Sequence, residues 1–192
     1  LRLLYGVDPV GLRFADPERY LALGRVATGE VMAATFGEWR RARSLCRGAL
    51  VLSLRDLWPC SGWGLVEADG VPKAAWWLLR RALGPVALHI SDEGINGLAL
   101  HLCNDSAAPV AGTLELSLWR SGEVRVGGGE RTVEIPARGA VEVAAGELLE
   151  GFVDLSYAYR FGPPPCDLVV ARFGACEAFH FPAGRPSTRE LD

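Results

Sequence analysis

The hydrophobic pattern changes period at Gly84-Pro85, and this switch limits the fold more than any other feature of the chain. Before it, apolar residues recur at about the 3.6-residue spacing of a helix; after it they alternate with a period of about two. Proline cannot continue a helix, so Gly84-Pro85 also ends whatever helix precedes it. A chain of 192 residues divided in this way has room for one sandwich-sized domain and an incomplete second one.

Residues 1–84 read as helix, strand, helix. Asp16-Pro17 is a helix start, with Asp able to cap free N–H groups and Pro suited to the first helical position. The run to about Arg41 has no further proline, and Leu23, Ala27, Val31 and Ala34 fall on one expected core face. Residues 49–54, Ala-Leu-Val-Leu-Ser-Leu, are short and almost wholly apolar, the pattern of a strand buried on both faces in a parallel sheet. After a turn at Asp69-Gly70, Pro72 opens a second helix to about Leu83, with Ala75, Leu78, Leu79 and Ala82 facing inward. A single parallel-type strand between two helices has no sheet of its own. The segment therefore reads as the last helix, strand and helix of a (β/α) barrel whose earlier units are absent.

From Pro85 the chain reads as an antiparallel sandwich of immunoglobulin-like size. Leu98, Leu100 and Leu102, then Leu114, Leu116 and Leu118, alternate with more polar neighbours. Val124 and Val126, Val133 and Ile135, Val141 and Val143, and Phe179 and Phe181 repeat the pattern. Asn104-Asp105-Ser106, Ser121-Gly122, Gly127-Gly128-Gly129 and Gly162-Pro163-Pro164-Pro165 punctuate the runs. The glycine triplet has neither a following helix nor a lysine, so it reads as a hairpin turn rather than a phosphate loop. The expected domains are thus 1–84 and 85–192, the latter ending in a polar tail from Pro182.

Composition removes several functional classes. Lys+Arg (20) do not outnumber Asp+Glu (23), so the basic excess of a broad nucleic-acid footprint is missing. No apolar run approaches the ~20 residues of a membrane span. The five cysteines offer no C-x-x-C pair and lie apart from His89, His101 and His180, so no metal site is expected, and no cofactor. The odd count also argues against a pure disulfide framework and favours buried or half-buried thiols. The chain opens on Leu1 within ordinary globular sequence, and we expect it to be a piece of a longer polypeptide whose upstream part is its first partner.

Residues 48–77 carry a specific pattern: Gly48, Leu50, Leu54, Asp56, Trp58, Pro59, Trp63, Asp69, Gly70, Pro72 and Lys73. In this order and spacing the segment resembles glycoside hydrolase family 2, most closely its β-mannosidase branch. Arg55 stands where that family has Asn before the Asp, and Ser61-Gly62 is shifted relative to its usual Ser-Trp. The resemblance implies a retaining exo-glycosidase acting on terminal β-mannosides, with a carbohydrate as partner and no nucleic acid or membrane. Such hydrolysis uses two carboxyl groups ~5–5.5 Å apart, one an acid/base and one a nucleophile. The resemblance puts both on earlier barrel strands, so no catalytic residue is expected in this chain. β-Galactosidase, β-glucuronidase and exo-glucosaminidase relatives remain open, as does a different class, a non-catalytic β-sandwich that binds sugar or protein.

Three residues are the substrate-binding candidates. Trp58 follows the expected barrel strand at its C-terminal end, where barrel enzymes build their sites, and offers a flat platform to a sugar ring; the alternative is a rim residue packing a loop. Asp56 is an acceptor for sugar hydroxyls or an orienter of the catalytic acid, or else a partner of Arg55 or another arginine, or a turn cap. Trp63 touches sugar, or packs between loop and barrel wall. Trp39, Trp76 and Trp77 lie on helices and are expected in the core or a domain interface. Trp119 and His101 lie on sandwich strands, where inter-domain packing competes with a carbohydrate-binding face.

Overall fold

A computed structural model describes residues 1–46 and 48–185. The part of the expected polar tail from residue 186 onward lies outside the described residues. The chain forms two compact units, one of Leu1–Phe36 and Gly48–Arg81 with Gly184 and Arg185, the other of residues 37–46 and Ala82–Ala183.

The first unit is helical. It holds α1 (Arg2–Tyr5), α2 (Pro9–Ala15), most of α3 (Pro17–Arg40) and most of α4 (Ala74–Ala82). Asp16 caps α3 as its sequence suggests, with Oδ1 accepting the Arg19 N–H at 3.1 Å and Pro17 in the first helical position. Helix α2 starts the same way, Asp8 accepting the Gly11 N–H at 2.9 Å ahead of Pro9. A small core of Leu65, Ala75 and Leu79 packs with Met32, Phe36, Val51 and Trp76.

Two expectations for this unit are corrected. The buried face of α3 is not the one through Val31 and Ala34, which are exposed. A Cβ at Gly29 would lie 3.0 Å from both Ala75 Cα and Leu78 Cδ1, so α3 lies directly against α4 there. With the contact anchored at Gly29, the positions three and seven residues on, Met32 and Phe36, share its face and Val31 turns outward. Residues 49–54, the middle strand of the expected helix-strand-helix, do not form a strand. Leu50 is 99% exposed and Leu52 78%, and the nearest backbone pairing is an isolated parallel bridge between Arg55 and Val66. A strand closes its amides and carbonyls on neighbouring strands, and none of the described residues supplies one here.

The second unit is a β-sandwich of two antiparallel sheets. Its strands are β1 (Val86–Asp92), β2 (Leu98–Asn104), β3 (Val110–Arg120), β4 (Val124–Ile135), β5 (Gly139–Ala144), β6 (Leu168–Phe173) and β7 (Cys176–His180). The sheet orders are β1-β2-β5 and β4-β3-β6-β7. Leu100, Leu102, Leu114, Leu116, Ile135 and Val169 are fully buried between them. The alternation read for β2 and β3 gives the correct inward residues, although β2 is buried on both faces.

Three strand details differ from the sequence reading. Gly127-Gly128-Gly129 is not a turn but the middle of β4, opposite Leu118, Ser117 and Leu116. A Cβ at Gly128 would come within 2.2 Å of the Leu116 carbonyl oxygen, and one at Gly129 within 1.9 Å of that of Leu148. The glycines are there because other backbone lies against the strand. The hairpin turns at Ser121 (φ 54°) and Gly122 (φ 67°), as the sequence reading also marked, a positive-φ pair that suits a tight β-connection. Val124 and Val126 are exposed, since they precede the part of β4 that faces the core. In β7 the inward residue is Ala178 and Phe179 is exposed, the opposite phase to the one expected.

Candidate functional site

The residues singled out at 56, 58 and 63 come together in the first unit, around a connection held by short backbone pairings. The Leu54 carbonyl accepts from the Leu65 and Val66 N–H groups at 2.9 Å each, the Asp56 N–H donates to Val66 at 3.0 Å, and the Lys73 N–H donates to Leu65 at 2.9 Å. The Asp69-Gly70 turn that returns the chain is real: Asp69 Oδ1 accepts the Val71 N–H at 3.1 Å and Gly70 takes φ 95°.

Asp56 is the hub. Its side chain is buried and ion-paired with Lys73, and Oδ1 accepts the Gly64 N–H at 2.8 Å. Lys73 Nζ also donates to the Gly62 carbonyl at 3.0 Å. Gly62 and Gly64 leave room for the carboxylate, since a Cβ on either would stand 2.5 Å or 2.6 Å from Asp56 Oδ1. The Lys73 ammonium, and then the Gly64 N–H, hold the Asp56 carboxyl below the usual carboxylate range. At neutral pH it is a charged acceptor and has no proton to give a leaving group.

Trp58 and Trp63 stand on the loop that this hub closes, 63% and 82% exposed. Together with Leu52, Asp56, Cys60 and Gly62 they line an open concavity of about 410 Å³ in which Asp56 is the sole carboxylate among the described residues. Arg55, instead of pairing with Asp56, donates from Nε to the Ala68 carbonyl at 3.1 Å. Among the described residues no group of three or more His, Cys, Asp or Glu could hold a metal ion, and no helix is long and apolar enough to cross a membrane.

The remaining aromatic candidates lie elsewhere. Trp76 joins the small core, whereas Trp77 is half exposed with the Arg80 guanidinium 5.8 Å from its ring centroid, and Trp39 is 40% exposed. Trp119 donates its indole N–H to Ser117 on its own strand at 2.9 Å. Cys103 and Cys166 are buried, but Cys60 is exposed. Sequence reasoning gave Lys73 no role. The signal was present in the paired spacing of Asp56 and the Gly70-x-Pro72-Lys73 turn, because an aspartate and a lysine fixed in one motif are candidates for each other's charge.

No family model matches the chain. It is 34% identical over 95 residues to β-mannosidase B of Thermothelomyces thermophilus, covering 46% of this chain and 11% of that protein. To β-mannosidase B of Aspergillus clavatus it is 27% identical over 173 residues, 81% of this chain and 20% of the relative. Among solved structures, the β-D-mannosidase from Dictyoglomus thermophilum superposes with a TM-score of 0.74 at 18% identity, over 91% of this chain and 21% of that one. The Amycolatopsis orientalis exo-chitosanase gives 0.60 at 14% identity, over 88% of this chain and 18% of the other. The chain thus spans between 11% and 21% of the lengths of these proteins. Its helices followed by a two-sheet sandwich match part of a β-mannosidase fold, and its sequence is similar over part of its length to the β-mannosidases of glycoside hydrolase family 2.

Proposed function

We propose that the chain is the C-terminal part of a retaining exo-glycosidase that hydrolyses terminal β-mannosides. In this reading residues 1–84 complete a (β/α)8 catalytic barrel and residues 85–192 form an immunoglobulin-like sandwich after it. The observation that carries it is the segment 50–54. Leu50, Leu52 and Leu54 are exposed in a run whose sequence suits a strand buried on both faces, which fits a barrel strand without its neighbours. The tryptophan loop follows directly, where the C-terminal end of such a strand would open on the substrate.

Trp58 then supplies an apolar face to the sugar's C–H groups and Trp63 a second one, while Asp56 and Lys73 fix the loop from behind. The acid/base and the nucleophile come from the upstream part of the same polypeptide. The mannoside, rather than another sugar, is favoured because several relatives carry that name.

The test compares the 192-residue chain with the longer polypeptide on aryl β-mannoside, β-galactoside and β-glucuronide. The longer protein releases phenol fastest from the mannoside, and the chain alone releases none above a buffer blank. A retaining mechanism needs two carboxyl groups across one sugar ring, and among the described residues the concavity offers only Asp56. Turnover by the chain alone, abolished by Asp56→Asn, overturns the reading.

A further inference from the structure

The outer face of the three-stranded sheet carries two histidines side by side. His89 on β1 and His101 on β2 are direct cross-strand partners. Residues 37–41, which belong to the same unit, cover them. A Cβ at Gly37 would lie 3.2 Å from the His89 ring, and Cys103 Sγ donates to the Arg40 carbonyl at 3.3 Å. A side chain at position 37 would press on the imidazole, and glycine lets the helix backbone lie close to the ring.

The charges around the two rings are unequal. Arg40 lies near His89 and is itself committed to the Ala82 carbonyl, to that of Gly84 at 3.1 Å and to Asp105 at 2.7 Å. His89 Nε2 is buried with no hydrogen-bond partner among the described residues. His101 Nε2 meets Ser91 Oγ at 2.7 Å, and Nδ1 lies 3.6 Å from Glu142. Arg41 reaches Glu38 at 3.0 Å, Glu93 at 3.1 Å and Glu142 at 3.7 Å, and Arg43 stands 4.0 Å from Glu142. His101 therefore sees Glu38, Glu93, Glu142 and Arg41, whereas His89, among the described residues, is influenced by Arg40 and His101.

We propose that the His89–His101 pair is an acid-sensitive latch: as neutral imidazoles the two rings hold residues 37–41 on the sandwich, and protonation releases them. A proton on His89 places a second cation beside Arg40 in a buried spot where Nε2 has no acceptor among the described residues. The desolvation of the ring, with Arg40 and His101, pushes its pKa from 6.5 down to about 4. Burial and Arg41 also lower that of His101, against the pull of its three glutamates.

The sign follows from proton counting. The unfolded or released histidine binds a proton more readily than the packed one, so the latch is fully closed above pH 6.5 and weakens as pH falls toward 4. The lowered carboxyls of Asp8 and Asp56, ordinarily 3.8, act below this window, and that of Glu93, ordinarily 4.5, adds its own loss only at the acid end of it.

Amide hydrogen exchange on the full chain from pH 7.5 to 4.5, corrected for intrinsic rates, reads the latch directly. Protection of the amides at 38–41 falls by up to about tenfold per pH unit once the pH is below 6, while that of β3 and β6 stays constant. His89→Gln keeps a neutral polar ring substitute, and its protection profile is flatter than that of the wild type; a profile parallel to the wild type overturns the proposal. Should His89→Gln fail to fold, the titration of His89 followed by NMR in the wild type decides. A midpoint below 5, with protection already falling at higher pH, supports the latch, and a midpoint near 6.5 overturns it.

Discussion

Lys73 stands between Asp56 and Gly62: its ammonium pairs with the carboxylate and donates at 3.0 Å to the carbonyl. One cation thus closes the loop that carries Trp58 and Trp63. Lys73→Met removes both bonds and leaves a buried carboxylate short of a partner, the costly half of breaking an ion pair. The expected result is a melting temperature several degrees lower and faster local motion of the loop tryptophans in fluorescence anisotropy. An unchanged melting curve with unchanged anisotropy would rule the strut out. The pH dependence has a definite sign. The Asp56 carboxyl is held below its ordinary 3.8, so its stabilisation is present above that value and is lost as pH falls below it. In Lys73→Met the acid limb of the stability curve is accordingly shallower.

Substitutions at two glycines of the helical unit have opposite signs. At Gly64 an added Cβ meets Asp56 Oδ1 at 2.6 Å and the Asp56 backbone nitrogen at 2.7 Å, and neither can move without giving up its own hydrogen bond. Gly64→Ala should cost about 1–3 kcal/mol, the range of overpacked sites. Gly24 lies within α3 with open space around its missing Cβ, and Gly24→Ala should stabilise by about 0.5–1 kcal/mol because alanine is the better helix former. Urea denaturation of the two variants beside the wild type checks both signs, and destabilisation of equal size in both would contradict the steric account.

How legible the molecule was depends on where each signal originates. Local chemistry read directly: Asp16 caps α3, Asp69-Gly70 turns, and Leu114, Leu116 and Leu118 point inward. What failed depends on non-local contacts. The face of α3 is set by its approach to α4 at Gly29, and the glycines of β4 are set by Leu148 and Leu116, residues distant in sequence or on another strand. The run 49–54 has strand composition but forms none, because a strand is a property of its neighbours as much as of itself. At the site, the grouping of Asp56, Trp58 and Trp63 was visible from spacing, and the same motif held both Asp56 and Lys73, whose pairing is made by the fold of the 65–73 turn.

The sandwich should fold without the helical unit. Its core, from Leu88 to Ala178, is drawn entirely from residues 86–178. A protein of residues 85–192 should therefore give a β-type circular dichroism spectrum and a cooperative melt. It lacks residues 37–41, so the outer face with His89, His101 and Cys103 is bared and the melt comes earlier than for residues 37–192. Within either, Leu116→Ala at a fully buried position should cost about 2–5 kcal/mol. A random-coil spectrum for residues 85–192 would place the boundary elsewhere.

Trp58→Ala in the longer polypeptide isolates the platform from the fold. The side chain is 63% exposed and belongs to neither buried core cluster, so its removal leaves the packing of both units intact. A melting curve matching the wild type is the first expected outcome. If the indole carries the sugar, its loss weakens transition-state binding, and kcat/KM on an aryl β-mannoside falls more than about tenfold, equivalent to ~1.4 kcal/mol. Trp58→Phe keeps an apolar face and should recover part of this loss, since stacking on a sugar ring needs a flat ring and not the indole N–H. The same substitutions at Trp63, 82% exposed at the other end of the loop, show whether one ring or both meet the substrate. Trp58→Ala that melts like the wild type and keeps full kcat/KM would mean that the ring only shields the loop, and the concavity between the two tryptophans would lose its claim to the sugar.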